Sequence, residues 1–245
     1  VQTCALPISS SEPRVSPPKA GESRGESRGF SAAASGSRSK RAIKIFGKAE
    51  ACSSDQQCAE ALGFSTVATL NQVHGNKIHT VREPSNGTLK GDGMLTDVSG
   101  PALSIRFADC QAFAVHAPGH NMIGVIHAGW RGMAAQVITA FYKALEEGFS
   151  IQPQETCVFA TPSICLKCAE FWNPTHELPE HLHEFIEGRH VDLQKAAEAE
   201  LDALGVPLSQ RERHPACTKC SEGFWSYRRG DTNKRNYLIA GLLQN

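Results

Sequence analysis

The segment that most constrains this chain is 125–132, V-I-H-A-G-W-R-G, an apolar run that ends on His127 and turns at two glycines, Gly129 and Gly132. A short β-branched run bounded by glycine reads as a buried strand. The sheet that takes it must carry His127, Trp130 and Arg131 at the strand's end. Two further segments are built alike: N-Q-V-H-G at 71–75 closes an apolar run on His74, and F-A-D-C at 107–110 places Cys110 where another run gives way.

The 245 residues, 40% of them hydrophobic, suffice for one sizeable core. Lys plus Arg and Asp plus Glu balance at 25 each. No net field then draws the molecule to nucleic acid or to an anionic membrane, and a small-molecule substrate is expected. No apolar run reaches the roughly 18 residues that span a bilayer, and the start lacks the pattern of a secretory signal. A cytoplasmic, monomeric protein is expected, and nine cysteines are an odd number that suits reduced thiols and a metal better than a disulfide framework.

Residues 1–41 are rich in Ser, Gly, Pro, Arg and Glu, contain G-E-S-R-G-E-S-R-G, and have no periodicity that could bury a face. A disordered leader is expected there. Its first eight residues, V-Q-T-C-A-L-P-I, read as a translated sequencing-adaptor oligonucleotide, so a non-native origin is expected as well. Residues 42–245 form the single domain.

In that domain the alternation of I-K-I-F opens a strand near Ile43, and 55–62 forms a short helix stopped by Gly63. Short β-type runs follow at 66–74, 77–81, 102–107, 112–116 and 121–127, separated by turn clusters such as P-S-N-G and A-P-G-H-N. A long amphipathic helix from Met133 is expected to carry Val137, Ile138, Phe141, Ala144 and Leu145 on one stripe and to stop at Gly148. A strand over 156–160, a helix capped by Asp192 and a closing strand over 237–243 complete the pattern. Strands in runs with helices later argue for an α+β layered sandwich of mostly antiparallel or mixed sheets flanked by helices.

Two imidazoles and a thiolate at three strand ends are the donor set of an open, catalytic zinc site, with His74, Cys110 and His127 as ligands. Such an ion lowers the pKa of bound water and polarises a substrate. Copper is the second candidate for the same donors. Arg131, with the helix start beside it, could hold a phosphate or carboxylate. In G-F-W-S-Y-R-R-G-D, Phe224, Trp225 and Tyr227 with Arg228 could sandwich a planar heterocycle. Asp92, between glycines, is a turn residue first and a candidate general base or ribose acceptor second. His176 and His181 mimic a zincin helix, but they are five apart and Pro179 interrupts them. Cys165 with Cys168 and Cys217 with Cys220 form C-x-x-C twice; the 48 residues between the pairs exceed the roughly 15 to 20 of a zinc ribbon, which argues against a shared ion.

N-Q-V-H-G, G-D-G-M-L-T-D, A-D-C, H-A-G-W-R-G, T-P-S-I-C-L-K-C-A-E-F, the V-D-L helix and F-W-S-Y-R-R together resemble the YfiH family, once called multicopper polyphenol oxidoreductases, from about Phe46 to the end. The resemblance implies zinc on His74, Cys110 and His127. It also implies phosphorolysis of adenosine, inosine and methylthioadenosine, with adenosine deamination and purine nucleoside and phosphate as partners. The family's upstream T-T-R-x-G-G-x-S has no counterpart beyond G-F-S at 29–31, and Thr161, Cys165 and Ala169 stand where Gly, Gly and Tyr are customary. These departures bear on activity and substrate preference. Competing readings are a Cys/His hydrolase that edits peptidoglycan precursors, a copper-dependent polyphenol oxidase, and a non-catalytic zinc or purine-binding module.

Overall fold

A computed structural model describes residues 40–50 and 52–244. Most of the expected leader lies outside these residues, but Arg41, counted with it, already opens a strand. In chain order the strands are β1 (Arg41–Phe46), β2 (Thr66–Asn71), β3 (Ile78–Thr80), β4 (Ser85–Lys90), β5 (Gly93–Thr96), β6 (Pro101–Phe107), β7 (Gln111–Ala117), β8 (Met122–Ala128), β9 (Cys157–Ala160), β10 (Ile186–Glu187), β11 (His190–Val191), β12 (Arg211–Arg213) and β13 (Asn236–Leu242). The helices are α1 (Asp55–Glu60), α2 (Trp130–Ala134), α3 (Val137–Phe149), α4 (Pro174–Glu177) and α5 (Leu193–Ala203).

Two mixed sheets stack face to face, one ordered β1-β13-β6-β2-β4 and the other β12-β9-β7-β8-β5-β3, with β10 and β11 a separate hairpin. The period-two alternation of each central strand sorts side chains between layers. On β7, Ala112 and Ala114 face the other sheet, where they meet Leu103, Ile105, Leu238 and Ala240. Phe113 and Val115 point the opposite way, into a core with Ile138, Phe141 and Leu145 of α3. The outer face of the first sheet is covered by α1, whose Cys58 and Ala59 pack with Ala102, Tyr237 and Ile239. The molecule is thus an α/β/β/α stack, and the expected α+β layered class holds. Because both faces are covered, β7, β8 and β13 are buried along their whole length.

The structure keeps some of the expected elements and corrects others. The expected strand at the tail is β13, which lies between β1 and β6, antiparallel to both. Both sheets are mixed, within the expected class, since β2 runs parallel to both β4 and β6, and β3 runs parallel to β5. The expected turn at P-S-N-G instead starts β4. The long helix is two: it breaks at Gln136, whose φ of 54° is left-handed, and α3 runs on to Phe149, capped by Ser150 at φ 55°, rather than stopping at Gly148. Among the described residues no helix is long and apolar enough to cross a membrane.

Candidate metal centre

The three segments singled out in the sequence meet where the two sheets hand over to each other. His74 follows β2 in one sheet, His127 is the penultimate residue of β8 in the other, and Cys110 sits in the turn that carries the chain from β6 to β7. Their ligand atoms all lie within 4.8 Å of one another. The imidazoles meet edge to face with centroids 4.9 Å apart. Gly129 leaves the space between them open, since a Cβ there would stand 2.9 Å from both Cys110 Sγ and His74 Cδ2.

Two backbone distortions aim these side chains. His74 has φ 59° and Asp109, next to Cys110, has φ 82°, in the left-handed region that costs a β-carbon residue of order 1–3 kcal/mol. Each is held by a carboxylate. Asp92 is fully buried and accepts N–H bonds from Val73 (3.2 Å), His74 (2.9 Å) and Gly75 (2.8 Å), and its Oδ1 lies 2.8 Å from His127 Nδ1. The carboxylate of Asp109 accepts from the Thr218 hydroxyl (2.6 Å) and the Arg228 backbone N–H (2.7 Å). With Nδ1 of His127 tied to Asp92, the free face of the ring is Nε2, the usual arrangement of a metal-binding histidine.

Charge is arranged to favour a cation. Burial opposes ionisation of Asp92, yet His127 and the Gly75 and His74 amides hold its carboxyl below the usual range. Burial also opposes a charged His127, but Asp92 and Cys110 outweigh it and raise its pKa to about 9. Burial raises the thiol of Cys110, and hydrogen bonds and charge from His127 and His74 more than reverse this, bringing it to about 6. A thiolate beside two imidazoles, one of them backed by a carboxylate, is a donor set in its metal-binding state once the imidazolium proton leaves.

The three residues line a cleft of about 670 Å³. Arg131, Tyr227 and Arg228, expected from the sequence, line it as well. Arg131 stacks its guanidinium 4.2 Å from the Trp130 ring, and Trp130 meets Phe171 edge to face at 5.8 Å. The helix expected to start at Met133 begins at Trp130 with Gly129 as its N-cap and has only five residues. Its dipole is correspondingly small, so the positive charge at this corner is the arginine's own.

Three sequence expectations fit less well. Asp92 does not line the cleft; both oxygens are engaged with the 73–75 loop and His127, which places it to orient these groups rather than to meet a substrate. Of the three aromatics near the C-terminus only Tyr227 reaches the cleft. Phe224 packs on His214, and Trp225 lies under Lys48 and Lys234. The C-x-x-C pairs, expected to stay apart, bring four sulfurs within 4.8 Å of one another. Among the described residues, these and the His-Cys-His set are the groups able to hold an ion. The zincin-like pair is not among them; His181 instead points Nε2 at the Met133 carbonyl, 3.4 Å away.

Sequence reasoning missed Arg106, Phe171 and Arg235, which also line the cleft. Arg106 had a signal: on β6 it alternates with the buried Ile105 and Phe107, so it had to leave the inter-sheet core. Phe171 and Arg235 sit in loops, and no local pattern marks them.

The chain is similar in sequence and fold to known proteins. The chain is 28% identical over 206 residues to purine nucleoside phosphorylase ORF3 of Streptomyces griseus, covering 77% of this chain and 78% of that one. It is 26% identical over 150 residues to adenosine deaminase RL5 of an unknown prokaryote, covering 56% of each. The crystal structure of YlmD from Geobacillus stearothermophilus superposes with a TM-score of 0.68 at 30% identity, over 77% of this chain and 78% of that one. A family model described as multi-copper polyphenol oxidoreductase laccase matches residues 48–240, and the chain belongs to that family.

Proposed function

We propose that this chain is a zinc-dependent purine nucleoside phosphorylase, acting on adenosine, inosine and methylthioadenosine, with adenosine deamination as a second activity of the same cleft. The observation that carries the reading is the convergence of His74, Cys110 and His127 on a cleft of about 670 Å³ that also holds Arg131 and Tyr227. That volume suits a nucleoside with phosphate beside it, within the roughly 300–1,000 Å³ of small-molecule sites. The names of the relatives supply the substrate class.

The residues fit zinc: two imidazoles and a thiolate are the three-ligand set that leaves a coordination position open, and the glycine at 129 keeps that space clear. His74, Cys110 and His127 would hold the ion, which when bound supplies Lewis-acid polarisation and a water of lowered pKa. The rest is done by the chain. Asp92 fixes the ring of His127 and the His74 loop. Arg131, stacked on Trp130, presents a planar fork to phosphate oxygens and orients them toward ribose C1′. Tyr227 and Phe171 offer aromatic surface to the base. The Arg228 guanidinium donates to the Glu170 carbonyl at 2.8 Å, so this arginine also builds the wall against which the nucleoside lies.

Incubation with adenosine, with and without phosphate, followed by separation of adenine, inosine and hypoxanthine, tests this. Adenine that appears only with phosphate and inosine that appears without it are expected; no product under either condition overturns the reading. A thiolate hydrolase is the second reading, favoured by a Cys110 thiol near 6 between two histidines. Excess zinc should protect Cys110 from iodoacetamide, and metal-free protein should be inactive. Full activity of metal-free protein selects the hydrolase instead.

A further inference from the structure

Cys165, Cys168, Cys217 and Cys220 lie outside the cleft and take no part in the chemistry above. Each C-x-x-C folds as a tight turn. In the first, Cys168 N–H and Ala169 N–H both reach the Cys165 carbonyl, at 2.9 and 3.0 Å; in the second, Ser221 N–H reaches the Cys217 carbonyl at 2.9 Å. The turns meet through a bridge between Ser163 and Cys217 and a 3.2 Å bond from Thr218 N–H to the Ser163 carbonyl. All four cysteines are free thiols, with every Sγ within 4.8 Å of the others and Cys168 3.4 Å from Cys220.

This arrangement has the features of a tetrahedral thiolate cage. Four sulfurs at about 2.3 Å from one zinc ion stand about 3.8 Å apart, so the cluster needs only a small contraction. Cys217 Sγ accepts the Cys165 N–H at 3.3 Å, and the Cys220 N–H also bonds to it. Amides turned onto a sulfur stabilise thiolate charge. The excess negative charge of four thiolates is met by basic residues: Lys167 and Lys219 sit within the two turns, and Arg229 donates to the carbonyls of Thr218, Lys219 and Ser221. The 48 residues between the pairs are no obstacle, because pairing of β12 with β9 returns the chain to the first turn.

We propose that Cys165, Cys168, Cys217 and Cys220 form a second metal centre, a closed four-thiolate site for one zinc ion that staples together the two loops forming one wall of the cleft. The first loop brings Ser163, Ile164 and Ala169 to that wall, and the second leads into Tyr227 and Arg228. Arg228 spans them through its bonds to the Cys168 and Glu170 carbonyls. The centre is structural, since all four positions around the ion are filled by protein. It is independent of what the cleft turns over.

The test uses the full chain with Cys110→Ala, which removes a ligand from the cleft. Purified under reductant and reconstituted, this variant should retain one equivalent of zinc per chain. Its cobalt(II) form should show the intense sulfur-to-metal charge transfer and tetrahedral d–d bands of four thiolates. Adding Cys168→Ser and Cys220→Ser should abolish both. In the chain with Cys110 intact, the same serine pair should leave the metal of the cleft in place while amide exchange over 163–171 and 217–229 quickens by about tenfold or more. Folded Cys110→Ala protein that takes up no zinc, or a cobalt spectrum without thiolate charge transfer, overturns the proposal. So does mass spectrometry of reductant-purified protein showing these cysteines joined as disulfides.

Discussion

Asp92 and Gly129 shape the candidate centre without offering it a ligand atom. The Asp92 carboxylate takes three backbone N–H bonds from the loop that carries His74 and one contact from His127. Asparagine at this position keeps the size but loses the charge and turns an N–H₂ toward donors. Asp92→Asn should therefore weaken zinc binding about 10- to 100-fold, as read by competition with a chromophoric chelator, with the far-ultraviolet circular dichroism unchanged. Unchanged affinity would show that Asp92 serves only the loop. Gly129→Ala places a methyl group 2.9 Å from a ligand sulfur and from the His74 ring at once. Neither neighbour is the free end of a flexible chain, so one ligand must move. Zinc should bind at least about tenfold more weakly in this variant, with a stability cost of roughly 1–3 kcal/mol.

At the scale of elements, packing of α3 on β8 depends on Gly124. A Cβ there would meet the Phe141 ring at 2.6 Å and a Leu95 methyl at 2.8 Å. Gly124→Ala should cost about 1–3 kcal/mol in urea unfolding, and adding Phe141→Leu should cost less than the two single changes summed, because the second makes room for the first. Additive losses would mean that the helix simply shifts. These elements also mark how far the sequence could be read. Strands β6, β7 and β8 were legible because their apolar runs enter a core on both faces. The polar S-N-G-T-L-K of β4 was not, since an edge strand buries little. The break between α2 and α3 was hidden by an apolar stripe that runs through it, Met133, Val137, Ile138 and Phe141, while Gln136 takes a left-handed φ that normally announces itself as glycine. The three candidate ligands were legible as polar residues ending apolar runs. The cysteine cluster was not, because the parallel contact that closes it, β12 on β9, links segments about 50 residues apart in sequence.

For the whole molecule, the inter-sheet layer contains a pH-sensitive defect. His116 follows Ala112 and Ala114 at every second position of β7, so it lies on the face of that strand that meets the other sheet, and only 5% of it is exposed. Its Nδ1 has no hydrogen-bond partner among the described residues, and burial, reinforced by the charge of Arg41, lowers its pKa to about 4. A neutral histidine here leaves one nitrogen unsatisfied but carries no charge, whereas a protonated one must be taken out of water beside an arginine. The unfolded chain binds this proton near the ordinary value of about 6.5. Between that value and 4 the unfolded state therefore holds more protons than the folded one, and stability falls as pH falls. The slope approaches about 1.4 kcal/mol per pH unit, a total of roughly 3 kcal/mol across the window. His116→Gln removes the titration and keeps a polar side chain of similar length. Denaturant unfolding of both proteins from pH 7.5 down to 4.5 should give curves that run parallel above pH 7 and then separate, the variant losing less as the solution is acidified. His127, Cys110 and the carboxylates titrate in both proteins and cancel from the difference. A constant difference across the whole range would mean that water or a local opening hydrates His116, and that the two sheets do not seal this end of the core.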